Sequence, residues 1–249
     1  MDCTIDYELK LVADLNMSIH TQLQAEQDSA IAKVLENWIS PIFHSDQNEV
    51  ELSFFSMNEA DELHKHSVEQ ITARRQSFTF YLPRENYQHV AVMNVADNDA
   101  SVLMGTSHSA SMRISTKDVD TLPSQKTAIY AARCPIELEN NDNQSFEVSL
   151  YAASCAVALV LDSAAFSMPK IEVLLSGMAS GMSLNDSTFL FERNVLTRSI
   201  AITGQCFGAI SLPSRDELPS AAPARRKGKT NEVAALWQLT THVTLPDGK

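Results

Sequence analysis

The sequence predicts a mainly β protein, built as two tandem β-sandwich domains with one short helix in the first. Three observations carry that expectation. Apolar and polar side chains alternate over short stretches in both halves, at residues 7–11, 78–82, 146–150 and 171–175, the period of a strand covered on one face. Helical spacing is confined to residues 28–39. Between the halves, residues 137–144 turn polar, which places a domain boundary there and gives units 1–142 and 143–249.

In chain order, Tyr7, Leu9 and Leu11 mark an opening strand with those side chains inward. Ile31, Val34, Leu35, Trp38 and Ile39 fall at i, i+3, i+4, i+7 and i+8. They form one apolar helix stripe that starts near Asp28 or Ser29 and stops before Pro41. Val50, Leu52 and Phe54 return to alternation. Residues 58–76 are polar, hold His64, His66, Arg74 and Arg75, and read as an exposed helix or a long crossover. Phe78, Phe80 and Leu82 predict a strand covered on one face. Pro83 ends its pairing, and Arg84, Glu85 and Asn86 close a tight turn. Residues 87–94 return as a central strand covered on both faces, so a hairpin is expected. Across residues 97–120 the signal weakens to short edge strands or ordered loops at 102–104 and 112–114, and 128–132 predicts a further strand.

The second half repeats the pattern. Phe146, Val148 and Leu150 alternate, then parity changes so that Cys155, Val157, Leu159 and Leu161 share a face. A β-bulge near residues 152–154 in one long strand produces such a change. Residues 171–175, the pair Phe189 and Phe191, and the pair Ile200 and Ile202 mark three more strands. Residues 219–229 form a loop by composition, and 235–245 restore strand character. Pro246, Asp247 and Gly248 are a turn signal, which predicts a returning strand beyond Lys249.

Composition narrows the function classes. Nineteen basic against thirty-one acidic residues leave a net charge of −12, which disfavours nucleic acid, because phosphate binding needs clustered Lys and Arg. The same balance disfavours adsorption of the protein body to anionic lipid. No stretch is long and apolar enough for a membrane-spanning helix. Cys3, Cys134, Cys155 and Cys206 show neither a CxxC pair nor zinc-ligand spacing. Cys155 and Cys206 read as small buried hydrophobes.

The search for catalytic chemistry returns little. Ser107 and His108 are adjacent, so on a strand they point to opposite faces, and they read as part of a polar loop. His64 and His66 share a face only if their segment is a strand; no third ligand accompanies them, and no metal is expected. Residues 177–181, GMASG, lack the lysine of a phosphate loop and read as a loop between strands. Arg225, Arg226, Lys227 and Lys229 form a basic cluster that reads as a solvated loop. The residues alone predict a non-enzymatic β protein without cofactors.

The order of elements carries a resemblance. Asp2-Cys3 precedes residues 7–11, YELKL, and 14–17, DLNM. A strand ends in Leu82-Pro83, and Tyr87 leads through Val90-Ala91-Val92 to Asn94. FEVSLY at 146–151 leads to VALV at 157–160, IEVLLSG spans 171–177, and LPDGK closes the chain. Together these resemble the FimB/Mfa-type fimbrial anchor family, the minor subunits of type V pili. Two departures stand out: Arg84-Glu85-Asn86 replaces a turn glycine, with Asn86 the residue best suited to a positive φ, and the helical segment lengthens the first domain.

The resemblance implies two transthyretin-like sandwiches and export by a lipoprotein signal. It also implies lipidation at a cysteine near the mature N-terminus. That cysteine is either Cys3 or one upstream of Met1 with Cys3 the family's second N-terminal cysteine, the latter being favoured. Its further implications are residence in the outer membrane, partnership with fimbrial shaft or accessory subunits, and a role in anchoring the shaft and limiting its length through β-strand addition. The alternative is a surface adhesin or glycan-binding module on the same scaffold.

Overall fold

The computed structural model describes residues 4–13, 29–45, 48–58, 62–103, 112–137, 143–160, 170–203, 206–214 and 237–244. Its centre is a seven-stranded sheet. Strands β1 (Thr4–Ala13), β2 (Asn48–Ser56), β3 (Leu63–Ile71), β4 (Arg75–Pro83), β5 (Tyr87–Met93), β9 (Tyr130–Ile136) and β10 (Asn143–Ala152) lie in the order β3-β2-β5-β9-β10-β1-β4. All pairs are antiparallel except β1 with β10.

This order forces a curl. Six interstrand spacings make a flat sheet about 29 Å wide. Yet its two edge strands, β3 and β4, are consecutive and joined by residues 72–74 alone, a link that spans roughly 14 Å fully extended. The sheet therefore rolls until the Phe54 and Phe80 rings are 5.1 Å apart, leaving a seam between β3 and β4. The Lys65 ammonium stands over the Phe80 ring at 5.7 Å in that seam.

Inside the roll, Val50, Leu52, Phe54, Phe80, Leu82 and Tyr87 form one core, joined by Ile39 and Phe43 of helix α1 (Ser29–Phe43). The end of α1 is pinned to the strands: the Ala128 N–H donates to the Ile42 carbonyl and the Tyr130 hydroxyl to the Phe43 carbonyl, both at 2.9 Å. The helix runs past the expected stop, through Pro41. Pro41 removes only the bond to the Asn37 carbonyl, and both residues are exposed, so water takes its place.

The outer face of the roll carries a second core. There Phe55, Val90 and Val92 meet Met112 and, from a four-stranded sheet, Ile114, Met182 and Phe189. That sheet has the order β14 (Thr188–Leu190), β13 (Gly181–Ser183), β7 (Arg113–Thr116), β6 (Ala100–Leu103). Strand β5, buried along its whole length, is thus covered on both faces as expected. Strand β4 is covered on one, with Phe80 and Leu82 buried and Tyr81 exposed.

Two smaller sheets complete the described residues. One holds β11 (Cys155–Val160), β17 (Cys206–Ser211) and β16 (Ile200–Thr203) in that order. The other runs β18 (Gln238–Thr244), β12 (Lys170–Met178), β15 (Val195–Arg198), β8 (Thr121–Pro123). Leu175 and Met178 of the second pack on Ala209 of the first.

Several expectations need correction. Strands β4 and β5 are not a hairpin: β4 pairs with β1, while β5 lies between β2 and β9. Residues 63–71 are neither helix nor crossover but the edge strand β3, held by β2 along most of its length. The parity change at 152–154 is not a bulge. The chain leaves the seven-stranded sheet at Ala152 and enters another at Cys155. The positive φ expected at Asn86 occurs instead at Asn94 (64°) and Ser187 (59°) among the described non-glycine residues. Pairing also crosses the 142/143 division, since β10 lies between β9 and β1, β7 pairs with β13, and β8 pairs with β15.

The corner at Ser154 shows what such a switch requires. Its Oγ accepts the Ile129 N–H at 2.8 Å and donates to Gln125 Oε1 at 2.6 Å, while the Ala153 N–H donates to the Ile129 carbonyl. Ser154→Ala strands a buried N–H, and urea denaturation is expected to show a loss of about 1–3 kcal/mol. An unchanged midpoint would mean that the corner does not depend on this hydroxyl.

Candidate functional site

Polar chemistry gathers on the outer side of β2 and β3. Residues 63–71 form a strand, but its register shifts at His64, which breaks the alternation that would set His64 and His66 on one face. His66 lies opposite Ser53, His64 stands against the Tyr87 ring at 5.8 Å, and each meets its own carboxylate. His64 Nδ1 is 3.0 Å from Glu85 Oε1, and His66 Nε2 is 3.8 Å from Glu51 Oε2. Glu85 also accepts from Ser56 Oγ at 2.5 Å and Asn58 Nδ2 at 3.4 Å. The carboxylate thus sits between serine and imidazole, which staples the β4–β5 turn to β2 and β3 and relays no proton to a nucleophile. Burial pushes the neighbouring Tyr87 phenol above its usual range, and the Glu85 charge adds to that.

Ser53, His66 and Glu51 do stand in relay order, with Ser53 Oγ 3.0 Å from His66 Nδ1. Ser53 is fully buried, however, so no substrate reaches its oxygen. Burial lowers the His66 pKa and, with Glu49, raises that of Glu51. Both drift toward neutrality, so desolvation outweighs their attraction at 3.8 Å. Among the described residues no group of three His, Cys, Asp or Glu is placed to hold a metal ion, and no helix is long and apolar enough to cross a membrane.

The remaining candidates divide by position. Of residues 177–181, expected to be a loop, only Ala179 and Ser180 lie between strands; Gly177, with φ 77°, falls near the end of β12 and Gly181 opens β13. Cys134 and Cys206 are free thiols; burial pushes Cys134 up to about 11 and also raises Cys206, which leaves those two unreactive, while Cys155 is half-buried. Cys3, the Ser107-His108 pair, the basic cluster at 225–229 and the closing turn at 246–248 lie outside the described residues.

What the fold offers is sheet edges. An edge strand presents unpaired N–H and C=O groups, and proteins blunt it with short length, proline, bulges or inward charge. Most edges here are blunted. Strand β3 carries Lys65 and Glu69 on its inner side and a register shift opposite Phe54 and Phe55. Strand β4 ends in Pro83, β8 ends in Pro123, β14 and β6 span three and four residues, and β16 has a shifted register. Among the described strands two edges lack such devices. Strand β11, CAVALV, is apolar on both faces, with Cys155 and Val157 against the Leu175–Met178 side and Ala156 against the core of the roll. Strand β18, QLTTHVT, carries no Lys, Pro or acid. It pairs only with β12 among the described strands and is largely exposed on both faces. The sequence marked both as strands without showing that each pairs on one side alone among the described strands.

A family model described as fimbrillin-A associated anchor proteins Mfa1 and Mfa2 matches residues 40–194. No curated protein matches the chain. Among solved structures, a candidate adhesin from Bacteroides ovatus superposes with a TM-score of 0.59 at 10% identity, over 99% of this chain and 80% of that one. A candidate polysaccharide-binding protein from Bacteroides thetaiotaomicron gives 0.56 at 12% identity, over 84% and 71%. The fimbrial anchor protein Mfa2 from Porphyromonas gingivalis gives 0.52 at 13% identity, over 87% and 76%. At such identities these structures speak for the β-sandwich fold. The family match covers more than half of the sequence, from the end of α1 through β14, and the chain belongs to the fimbrillin-A associated anchor protein family.

Proposed function

We propose that this fimbrial surface protein is an anchor subunit, held in the outer membrane by an N-terminal lipid, that attaches a fimbrial shaft and limits its length. The observation that carries the reading is the outer side of β11, a strand that pairs only with β17 among the described strands. An incoming strand gains main-chain hydrogen bonds there, and its alternate side chains meet apolar neighbours on either face: Cys155, Val157 and Leu159 on one, Ala156, Ala158 and Val160 on the other. Lipidation falls on Cys3 or on a cysteine upstream.

Deleting the gene is expected to release fimbriae into the medium and to lengthen them in electron micrographs. A strain carrying Ala158→Lys and Val160→Lys, both at exposed positions, is expected to shed fimbriae in the same way while the purified variant keeps its melting temperature. Fimbriae retained by the deletion strain would sink the anchor role. Fimbriae retained only by the lysine strain would sink the β11 edge as the contact.

A second reading, glycan binding, is supported by a cavity of about 400 Å³ lined by Asp97, Asp99, Ser101, Lys117, Gln125 and Lys126 among others. None of its lining side chains is aromatic, which weakens it as a sugar platform. Glycan-array binding that disappears in Asp97→Ala and Lys126→Ala would favour this reading over the anchor.

A further inference from the structure

We infer that the cavity beside the β5–β6 connection is a binding site for a small zwitterion, an α-amino acid or a dipeptide. The inference takes the cavity of the glycan reading but assigns it a different ligand, and it does not depend on the anchor reading. At about 400 Å³ the cavity falls within the size range of small-molecule sites. Residues 96–101, 116–117 and 122–126 wall it.

The walls are fixed by groups whose hydrogen bonds are already taken. Asn98 is buried. Its Nδ2 donates to the Asn94 and Thr127 carbonyls at 2.8 and 2.9 Å, and its Oδ1 accepts the Lys126 N–H at 2.8 Å. Buried Ser124 accepts the Ile210 N–H through its Oγ at 2.9 Å. Arg193 braces the opposite wall, with Nη2 donating to the Thr116 carbonyl at 2.6 Å and Nη1 to Asp118 Oδ1 at 2.7 Å. Lys117 and Asp99 stand 4.0 Å apart and neutralise each other. A frame so tied together holds its shape before a ligand arrives.

Three lining groups are left to act on a ligand. Ser154 Oγ accepts the Ile129 N–H, so its own proton goes to Gln125 Oε1 at 2.6 Å. That bond sets the orientation of the Gln125 amide and leaves its Nε2 with two protons and no acceptor among the described residues. Asp97 and Lys126 are exposed, and neither has an ion-pair partner among the described residues. The two charges are near each other. Asp97 precedes Asn98, and Asn98 bonds the Lys126 N–H, so the Asp97 and Lys126 Cα atoms lie within roughly 12 Å.

The Gln125 and Lys126 donors together suit one carboxylate. Asp97 suits an ammonium a few ångströms away, so a molecule with both charges on one carbon or one peptide unit apart satisfies all three. A sugar ring fits less well, because no lining side chain is aromatic and none offers a face for stacking. An acidic sugar is further opposed by the net charge of −12, whereas a zwitterion carries no net charge for that field to repel.

Isothermal titration calorimetry of the purified chain, with a panel of free α-amino acids and of dipeptides with small, apolar, acidic and basic side chains, is expected to find saturable binding. For the tightest member, N-acetylation and C-amidation are each expected to weaken binding about tenfold or more. Asp97→Asn is expected to abolish the penalty for acetylation, and Lys126→Gln the penalty for amidation. Both variants are expected to keep the native melting temperature, since both positions are exposed. A panel without a saturable member, a blocked dipeptide that binds as tightly as the free one, or a penalty unchanged in its variant overturns the inference. Glucuronate or a neutral sugar that binds more tightly than every panel member overturns it as well and leaves the glycan reading standing. None of these outcomes involves β11, so the anchor reading is tested separately.

Discussion

Gly181→Ala is expected to cost roughly 2–3 kcal/mol of stability, because the added methyl has nowhere to go. Gly181 opens β13, the middle strand between β14 and β7, and pairs with Leu190 on one side and Ser115 on the other. A Cβ built there lies 2.5 Å from the Ile114 carbonyl oxygen. That atom is backbone, so relief requires β13 and β7 to separate. Separation loosens the covering of Ile114 and Met182, both fully buried, over the outer face of the seven-stranded sheet. Gly208 is an instructive comparison. A Cβ at that position runs into the Trp38 ring and comes within 2.7 Å of Ile202 Cδ1, but these are side chains that rotate or shift. Gly208→Ala is therefore expected to be the milder of the two in guanidinium denaturation. The reverse order would show that α1 is the more rigid partner and that β13 yields.

Acidification is expected to destabilise the fold through His89. The ring is fully buried, stacks on Phe54 at 4.4 Å and donates Nδ1–H to the Ser53 carbonyl at 3.0 Å. Its Nε2 has no hydrogen-bond partner among the described residues. Burial holds the folded pKa at about 4 against an ordinary 6.5, and the bond to Ser53 offsets only part of that. Between those values the unfolded chain binds a proton that the folded chain refuses, so stability falls as the pH drops through this window. Well above 6.5 nothing is lost; between roughly pH 7.5 and pH 5 the loss is about 2 kcal/mol. His89→Leu removes the titrating group, and its unfolding free energy is expected to vary less with pH by that amount. If native and variant stabilities run parallel across that interval, the ring does not titrate as described.

Much of the fold is legible in local pattern, and the failures share a cause. Residues 87–94 read as a doubly covered strand because Val90 and Val92 alternate with Tyr87, Ala91 and Met93, all apolar, and the structure buries every one. The helix stripe is equally plain, since Ile39 of that stripe points into the core. Strand β3 was hidden because its half-buried side carries Lys65, Ser67 and Glu69, so LHKHSVEQI shows no apolar period although its burial alternates. The false hairpin arose because sequence neighbours ordinarily pair. Here a three-residue turn after Pro83 carries the chain between distant positions of one rolled sheet, and only its global order reveals that. At the candidate site the strands themselves were readable in CAVALV and QLTTHVT. That each has a neighbour on one side alone among the described strands was not, because an edge is defined by what does not pair with it.

The place of β1 also bears on how the chain reaches its final form. That strand lies between β4 on one side and β10 on the other, so its second neighbour is supplied by residues 143–152. A parallel partner so far along the chain closes a long loop, and such contacts form slowly. Until those residues are released, β1 has at most one strand to bind. The first half is therefore expected to stay loosely held until that late-arriving segment docks, a delay that calls for protection from premature aggregation meanwhile.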